Sequence, residues 1–528
     1  MAEKQTESES LSQASAASSV DALNSDEDAI VSTKYADVAV SFMQAHDSQT
    51  PIITPEQDMA LSRKLLWRVL GLTFLINMIM YMDKATLSYS SISGFWEATG
   101  LDQNKYNNVN TIFYVGFIVG QLPGTYLIQK LSISKLIFGI TFFWSIDIFL
   151  HCAAYNYAGV IVLRFFLGLL ESVAIPIMLT TNGMLLSQHV RELTQPVFYA
   201  SCMASPIPIG FISYGVLYAG ADIGDWRVLN IIIGGLTLIL SVFVFFSYPD
   251  NPINASFLTT EEKVWVIRKV QNTSHQSIEQ KMFKKHHAIE AFKDPISWLI
   301  VGFFLLQQLA NNLPYQQTIL YEEMGGLSNL NSTLVTVAGA GFAVLWSLAA
   351  CLFMIWKPRK TCLTIIWTTL PSLAGSIAAV SLPLTNAIGV LAAISLASQS
   401  FGVGWICAFG LGQTTAGASY TKRLVRNAMF MVSYSVANII SPQLWRAKDA
   451  PNYIPAWVVQ IVLSFFTAPV LIGTVWFILH RRNKERLTTL DEKLKVGHVK
   501  NDEGEVFEVN VVALDLTDLE DKTFIYPT

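Results

Sequence analysis

Between residues 66 and 479 the sequence carries twelve apolar runs, each near the length that crosses a bilayer. They fall at 66–83, 109–129, 136–155, 160–183, 196–219, 228–248, 296–319, 332–355, 361–382, 387–410, 424–444 and 456–479. A span needs about 20 apolar residues. Backbone in lipid must satisfy its own hydrogen bonds, so every run is predicted to be a helix. The expected fold class is an all-α membrane protein with twelve transmembrane helices. Charged residues make up 14% of the chain, against about 25% in soluble domains. An ordinary soluble enzyme is excluded, as is disorder of the whole chain.

The longest connection, 249–295, splits the runs six and six. The predicted organisation is a disordered N-terminal tail (1–60), a six-helix half (61–248), a central loop (249–295), a second six-helix half (296–479) and a C-terminal tail (480–528). If the N-terminus is inside, 23 Lys and Arg fall on inner segments and 5 on outer ones. Basic residues concentrate on the cytoplasmic side of membrane proteins, so both tails and the central loop are expected there. The first 60 residues are acidic and Ser-rich, with no short apolar signal core, and the first span should target the chain. The acidic stretch Glu7–Asp28 could be phosphorylated, although a solubilising tail accounts for it as well.

Other features exclude chemistry. The five cysteines lie in or beside apolar runs without metal-ligand spacing, so neither a disulfide framework nor a metal centre is expected. No basic stripe suggests nucleic acid. No cofactor motif is present. In the central loop, Thr259 or Thr260 should cap a helix with Val264, Ile267 and Val270 on one face. His286 and His287 are expected to be solvated. Asn331-Ser-Thr is a glycosylation sequon next to a span.

Ionisable groups within spans are costly and mark candidate sites. The first run ends at Asp83-Lys84, the third holds Asp147, and the fourth reads Arg164-Phe-Phe-Leu-Gly168-Leu-Leu-Glu171. Seven residues turn about 700°, placing Arg164 and Glu171 on one helix face. Gly168 lies between them and leaves room for a partner helix or a small substrate. Lys84 and Arg164 could clamp a substrate carboxylate, and Glu171 could carry a proton. Asp83 would orient Arg164, or form with it an ion pair that only fixes helix register. Asp147 could meet a substrate ammonium or serve packing. In the seventh run, Pro314 should kink the helix, so that Asn312, Tyr315 and Gln316 line a cavity. Asn438 and Pro442 form a second polar cluster, in the eleventh run. Gly116, Gly120 and Gly124 recur every fourth position, as in close helix packing.

These residues carry a resemblance. Arg164-Phe-x-Leu-Gly168-x-x-Glu171 resembles the fourth-helix motif of the fungal allantoate permease family, in the anion:cation symporter branch of the major facilitator superfamily. Asp225-Trp-Arg227, Tyr248-Pro-Asp-x-Pro252, Phe257-Leu-Thr-x-Glu-Glu-Lys263, Lys293-Asp-Pro295, Tyr420-Thr-Lys-Arg423, Asn438-Ile-x-x-Pro442 and Asp449-Ala-Pro-x-Tyr453 are similar as well. They extend over about 400 residues in order. Tyr81–Tyr89, Gln307–Gln317, Val337–Phe342 and the tail Leu514–Glu520 with Phe524–Pro527 are similar to the cysteine-transporting members of that family.

The resemblance implies a major facilitator fold and proton-linked uptake of cysteine, at the plasma membrane of a fungus, with the endoplasmic reticulum as the other location. In related symporters a first-helix cation and the fourth-helix Arg bind an organic anion, and the fourth-helix acid carries the proton. Here those positions are Lys84, Arg164 and Glu171. The family usually has Arg then Asn in the first-helix motif, where this chain has Lys84 and Thr86. A monodentate cation suits a zwitterion better than a strong anion. The expected partners are a small carboxylate substrate, protons and lipid, and a monomer is the default. Allantoate, nicotinate, pantothenate, biotin, a dipeptide or a sulfonate are the rival substrates. A nutrient sensor on the same fold and a membrane-embedded enzyme are the rival functions. The first would show a long structured extension and the second a polar catalytic cluster, and the sequence carries neither.

Overall fold

The computed structural model describes residues 42, 46, 50–187, 190, 197, 199–220, 222–274, 284–357, 360–417, 419–489, 496–500, 506–510, 517–521 and 524–526. The acidic Ser-rich stretch expected within the N-terminal tail lies outside them. The principal helices are α1 (Pro55–Ser91), α2 (Gln103–Lys130), α3 (Ile133–His151), α4 (Tyr157–Leu185), α5 (Tyr199–Ala219) and α6 (Asp225–Ser247). Next come α7 (Thr260–Ser274) and α8 (Lys285–Lys293) in the central connection. The chain continues through α9 (Pro295–Glu323), α10 (Asn329–Trp356), α11 (Thr361–Ser381), α12 (Ala387–Thr414), α13 (Tyr420–Ile440) and α14 (Ile454–Thr488).

Each predicted run thus coincides with a helix, but ten of these helices, among the described residues, are long and apolar enough to cross a membrane. The exceptions are α2 and α13. The first turns of α2 carry Gln103, Asn104, Lys105, Asn107, Asn108 and Asn110, and α13 opens with Lys422, Arg423 and Arg426. Among the described residues, ten helices are therefore of span grade, against the twelve spans expected. The surface is inverted relative to a soluble protein. Phe143, Phe246, Leu345, Leu352, Phe466 and Phe477 are exposed, as side chains facing lipid would be.

Helix starts follow local chemistry. Thr54 and Gln57 cap α1 reciprocally, with Pro55 in the first turn, a pattern that satisfies otherwise orphaned N–H groups. That helix begins within the segment expected to be disordered. Asp102 accepts from Lys105 N at 2.8 Å and Asn156 from Gly159 N at 2.8 Å. Thr259, not Thr260, caps α7 in a reciprocal pair with Glu262. Helix α7 then docks on α1 through Lys64–Glu262 (2.7 Å) and Lys269–Asp58 (2.5 Å).

The interior has two large apolar clusters. One, centred on Ile76, Trp144, Leu167 and Ile233, joins α1, α3, α4 and α6. The other, centred on Phe303, Ile365, Phe430 and Ile472, joins α9, α11, α13 and α14. Several sequence motifs serve as staples. Asp250 accepts from Ser134 N and Ser132 Oγ, each at 2.7 Å. Burial alone would raise its carboxyl, but these bonds, with Lys135 nearby, hold it below the usual value.

Described parts of the C-terminal tail take definite structure. Residues Val496–Lys500 and Val506–Asn510 form a β-hairpin, β1 and β2. Further on, Thr517–Asp521 and Phe524–Tyr526 pack onto α8, α13 and α14. Asp518 is fully buried and meets Lys422 at 2.5 Å, while Tyr526 OH donates to Asp518 at 2.7 Å. Lys422 also meets Glu290 at 2.6 Å and Asp294 at 3.1 Å. Arg426 reaches Asp294 at 2.6 Å and Ser297 at 2.8 Å. Burial would raise Asp294, yet the Arg426 guanidinium, then Lys422 and Arg482, keep it below the usual carboxylate range. His287, expected to be solvated, is buried against Ser419 at 2.8 Å, whereas His286 is exposed.

Candidate functional site

Helix α1 brings Asp83 and Lys84 into the interior, where both are buried. The Lys84 ammonium meets Glu171 Oε1 of α4 at 2.6 Å. It lies over the rings of Tyr81 at 4.6 Å and Phe113 at 5.4 Å. Ring faces attract a cation, more so away from water. Asp83 turns the other way and accepts from Trp144 Nε1 at 3.0 Å.

Glycine sets the position of α4. A Cβ on Gly168 would stand 2.0 Å from Phe113 O, and one on Gly116 would stand 2.1 Å from Phe165 O. The two backbones touch there, so the space beside Gly168 is filled by α2 rather than left to a substrate. Arg164 and Glu171 flank this contact and both are buried. Their predicted shared face is therefore the face turned to α2 and α1. Arg164 does not join Lys84 at the cavity described below, and its Nε has no hydrogen-bond partner. Asp147 lies beside His151, 3.5 Å from its Nδ1, within the first apolar cluster and away from the cavity.

A cavity of about 110 Å³ opens between α1, α5, α9, α12 and α13. Lys84, Tyr81, Tyr315 and Tyr434 line its charged side. Gln308, Asn311, Gln317 and Gln399 offer amides on another, and Cys202, Met203, Phe401 and Trp405 form a wall of sulfur and aromatic groups. Gln308 is buried, and its Oε1 has no partner. Its Nε2 donates to Gln307 at 3.1 Å, which fixes the amide's orientation. Few polar groups on a largely apolar wall is the usual composition of a small-molecule site.

Helix α9 breaks at Gln308–Ala310, a single 3₁₀ turn, and restarts with Pro314 in its first turn. The interruption lies upstream of Pro314, which starts the new helix instead of kinking a continuous one, and it changes the helical phase. Tyr315 reaches the cavity, whereas Asn312 and Gln316 do not. Asn311 and Gln317 take those places. Asn312 N–H donates to Ser441 at 3.1 Å. Gln316 bonds Gln103 and Asn107, each at 3.0 Å.

Those last bonds belong to a seam joining the first six helices to the last six at one end of the cavity. Ser88 donates to Tyr315 O at 3.0 Å, and Tyr106 OH donates to the same carbonyl at 3.1 Å. Thr111 donates to Ile439 O at 3.2 Å, and Asn107 donates to Trp445 O. These contacts are hydrogen bonds between neutral groups, which suits a closure that must open again. Composition at the start of α2 could have flagged the seam, since Gln103, Asn107 and Asn110 are costly in a span without partners.

The sequence profile of the Major Facilitator Superfamily matches residues 73–442. The high affinity cysteine transporter of Saccharomyces cerevisiae is 50% identical over 521 residues, covering 96% of this chain and 98% of that protein. An uncharacterized transporter of Schizosaccharomyces pombe is 44% identical, covering 93% and 88%. The allantoate permease of S. cerevisiae is 27% identical, covering 91% and 89%. Among solved structures, a proton:xylose symporter bound to 6-bromo-6-deoxy-D-glucose superimposes with a TM-score of 0.60 at 14% identity, covering 79% of this chain and 96% of that one. That likeness shows the fold. A profile matched from within α1 to the end of α13, on a helical bundle with this cavity inside it, places the chain in a family: it belongs to the major facilitator superfamily.

Proposed function

We propose that the chain is a secondary transporter, taking up cysteine with protons across the plasma membrane. The substrate reading rests on one observation: 50% identity, nearly end to end, to a protein named as a high affinity cysteine transporter. The two halves, 61–248 and 296–479, would rock about the cavity, with the central connection and both tails in the cytoplasm. In that orientation the seam at Ser88, Asn107 and Tyr315 closes the outer side. A monomer is sufficient for this scheme.

The Lys84–Glu171 pair supports a coupling mechanism. A buried charge is costly unless paired. When a substrate carboxylate takes the Lys84 ammonium, Glu171 loses its partner and must bind a proton or move. Substrate and proton then load together. On release, Glu171 gives up the proton and recovers Lys84, so neither charge is left alone. Gln308 Oε1 can accept from the substrate ammonium, and the Cys202–Met203 wall suits a thiol. Arg164 and Asp83 keep positioning roles around α4, Asp147 a packing role, Gln316 holds the outer seam, and Asn312 ties α9 to Ser441.

The test is uptake of radiolabelled cysteine in cells lacking their own cysteine transporters, at pH 5 and 7.5, with and without a protonophore. Saturable, acid-stimulated uptake that Glu171→Gln abolishes is expected. Uptake indifferent to the protonophore and to Glu171→Gln would keep cysteine and remove the proton role. No uptake by protein at the cell surface would sink cysteine and turn the search to other small carboxylates.

A further inference from the structure

We propose that His286, His287 and Glu520 form a divalent transition-metal site, of the zinc class, which pins the C-terminal tail to helix α8. The three side chains come from segments 234 residues apart, yet one ligand atom from each lies within 4.8 Å of the other two. His287 Nε2 is 3.1 Å from one Glu520 oxygen, and His286 Nε2 is 3.7 Å from the other. The two imidazoles are packed with ring centroids 4.2 Å apart.

The donor set fits. Zinc binds imidazole nitrogen and carboxylate oxygen at about 2.0–2.2 Å, and two His with one Glu leave a fourth position for water. Bonds of that length need the ligand atoms slightly closer together than they stand. His286 is exposed on the first turn of α8 and can swing inward. His287 is already held. Its Nδ1 is 2.8 Å from Ser419 Oγ. On metal binding, Nδ1–H would donate to that hydroxyl and Nε2 would give up its contact with Glu520 to a metal shared with that carboxylate. A metal-bound imidazole usually has its other nitrogen fixed in this way.

The surroundings fit as well. Glu520 is positioned by its own turn, in which Thr517 N–H donates to Glu520 at 2.9 Å and Glu520 N–H donates to Thr517 at 3.2 Å. Thr517 in turn donates to Glu290 of α8 at 3.0 Å. The tail is therefore docked on α8 before any metal arrives. The five residues from Thr517 to Asp521 include three carboxylates, which offset the unfavourable positive end of α8 and Lys285. A metal here would add a metal-dependent tie to a tail that is already docked. Cations that prefer oxygen ligands, such as Mg²⁺, would be poorly served by two imidazoles.

The experiment uses full-length, untagged protein in detergent, stripped with chelator and titrated with Zn²⁺ by calorimetry. Cobalt(II) serves as the spectroscopic probe. One Zn²⁺ per chain is expected, with visible Co²⁺ absorption of tetrahedral intensity. His286→Ala and Glu520→Gln should each weaken binding by about tenfold or more, since each removes a ligand. His480→Ala, a histidine on α14, should leave it unchanged. Bound Zn²⁺ should slow proteolysis of the tail in the wild type and not in Glu520→Gln. Because His286 is exposed, its variant decides the matter even if His287→Ala fails to fold. No binding would overturn the proposal, as would binding that His286→Ala and Glu520→Gln leave unchanged.

Discussion

Two buried ionic regions of this molecule look alike in sequence and differ in structure. At Lys84–Glu171 one ammonium meets one carboxylate beside a cavity. At Lys422 one ammonium meets Glu290, Asp294 and Asp518, Arg426, Arg482 and Tyr526 satisfy remaining carboxylate oxygens, and Ser297 accepts from Arg426. The second region is saturated from five segments of chain, so no partner can leave without stranding several others. The first has a single ion pair, and an incoming carboxylate can replace its acid. Burial alone therefore does not separate a working charge from a structural one. On the proposed reading, the number of partners, and whether a cavity lies alongside, makes that separation.

The sharpest way to break this comparison is to remove each lysine. Lys422→Met leaves three carboxylates facing one another. We expect a loss of about 3–5 kcal/mol, the usual cost of breaking a buried pair. It should read as a lower melting temperature in detergent and little protein at the cell surface. Lys84→Met should stay folded, because Glu171 can take a proton, and should lose cysteine uptake altogether. Equal destabilisation by both substitutions would erase the distinction.

The double variant Lys84→Met/Glu171→Gln refines it. A neutral pair of similar volume should restore the wild-type melting temperature or exceed it, with uptake still at background. Recovered uptake would show that the pair only supports packing. A smaller effect is expected from Asp518→Asn, which weakens charge-assisted bonds to Lys422 and Arg482 but keeps the shape. The loss should be about 1–3 kcal/mol, seen as faster proteolysis of the tail, with uptake retained. A fully stable tail in that variant would mean that Tyr526 and Arg486 hold the segment alone.

Legibility in the sequence followed the range of the interactions. Each run became a helix because hydropathy and backbone hydrogen bonding are local to the segment. A cap at Thr259 or Thr260 and the glycines of α2 were readable for the same reason. The cavity was read less well. Tyr315 lines the cavity, but Asn311 and Gln317 stand where Asn312 and Gln316 were expected, because one 3₁₀ turn at Gln308–Ala310 rotates everything after it. No pattern in a single sequence announces such a turn. Arg164 was grouped with Lys84 by depth along the helix. Its direction was fixed instead by the backbone contact at Gly168, which depends on where α2 lies.

The sequence by itself determined that this chain is a bundle of membrane helices and which charges fall inside its apolar runs, because the cost of polar groups in lipid applies residue by residue. Only the tertiary structure decided which buried charges face the cavity and which are closed into a network. It also decided that a tail rich in acids docks rather than floats. Those outcomes depend on partners hundreds of residues away, such as Asp518 for Lys422 and Glu520 for His287, and contacts at that separation leave no local trace in the order of amino acids.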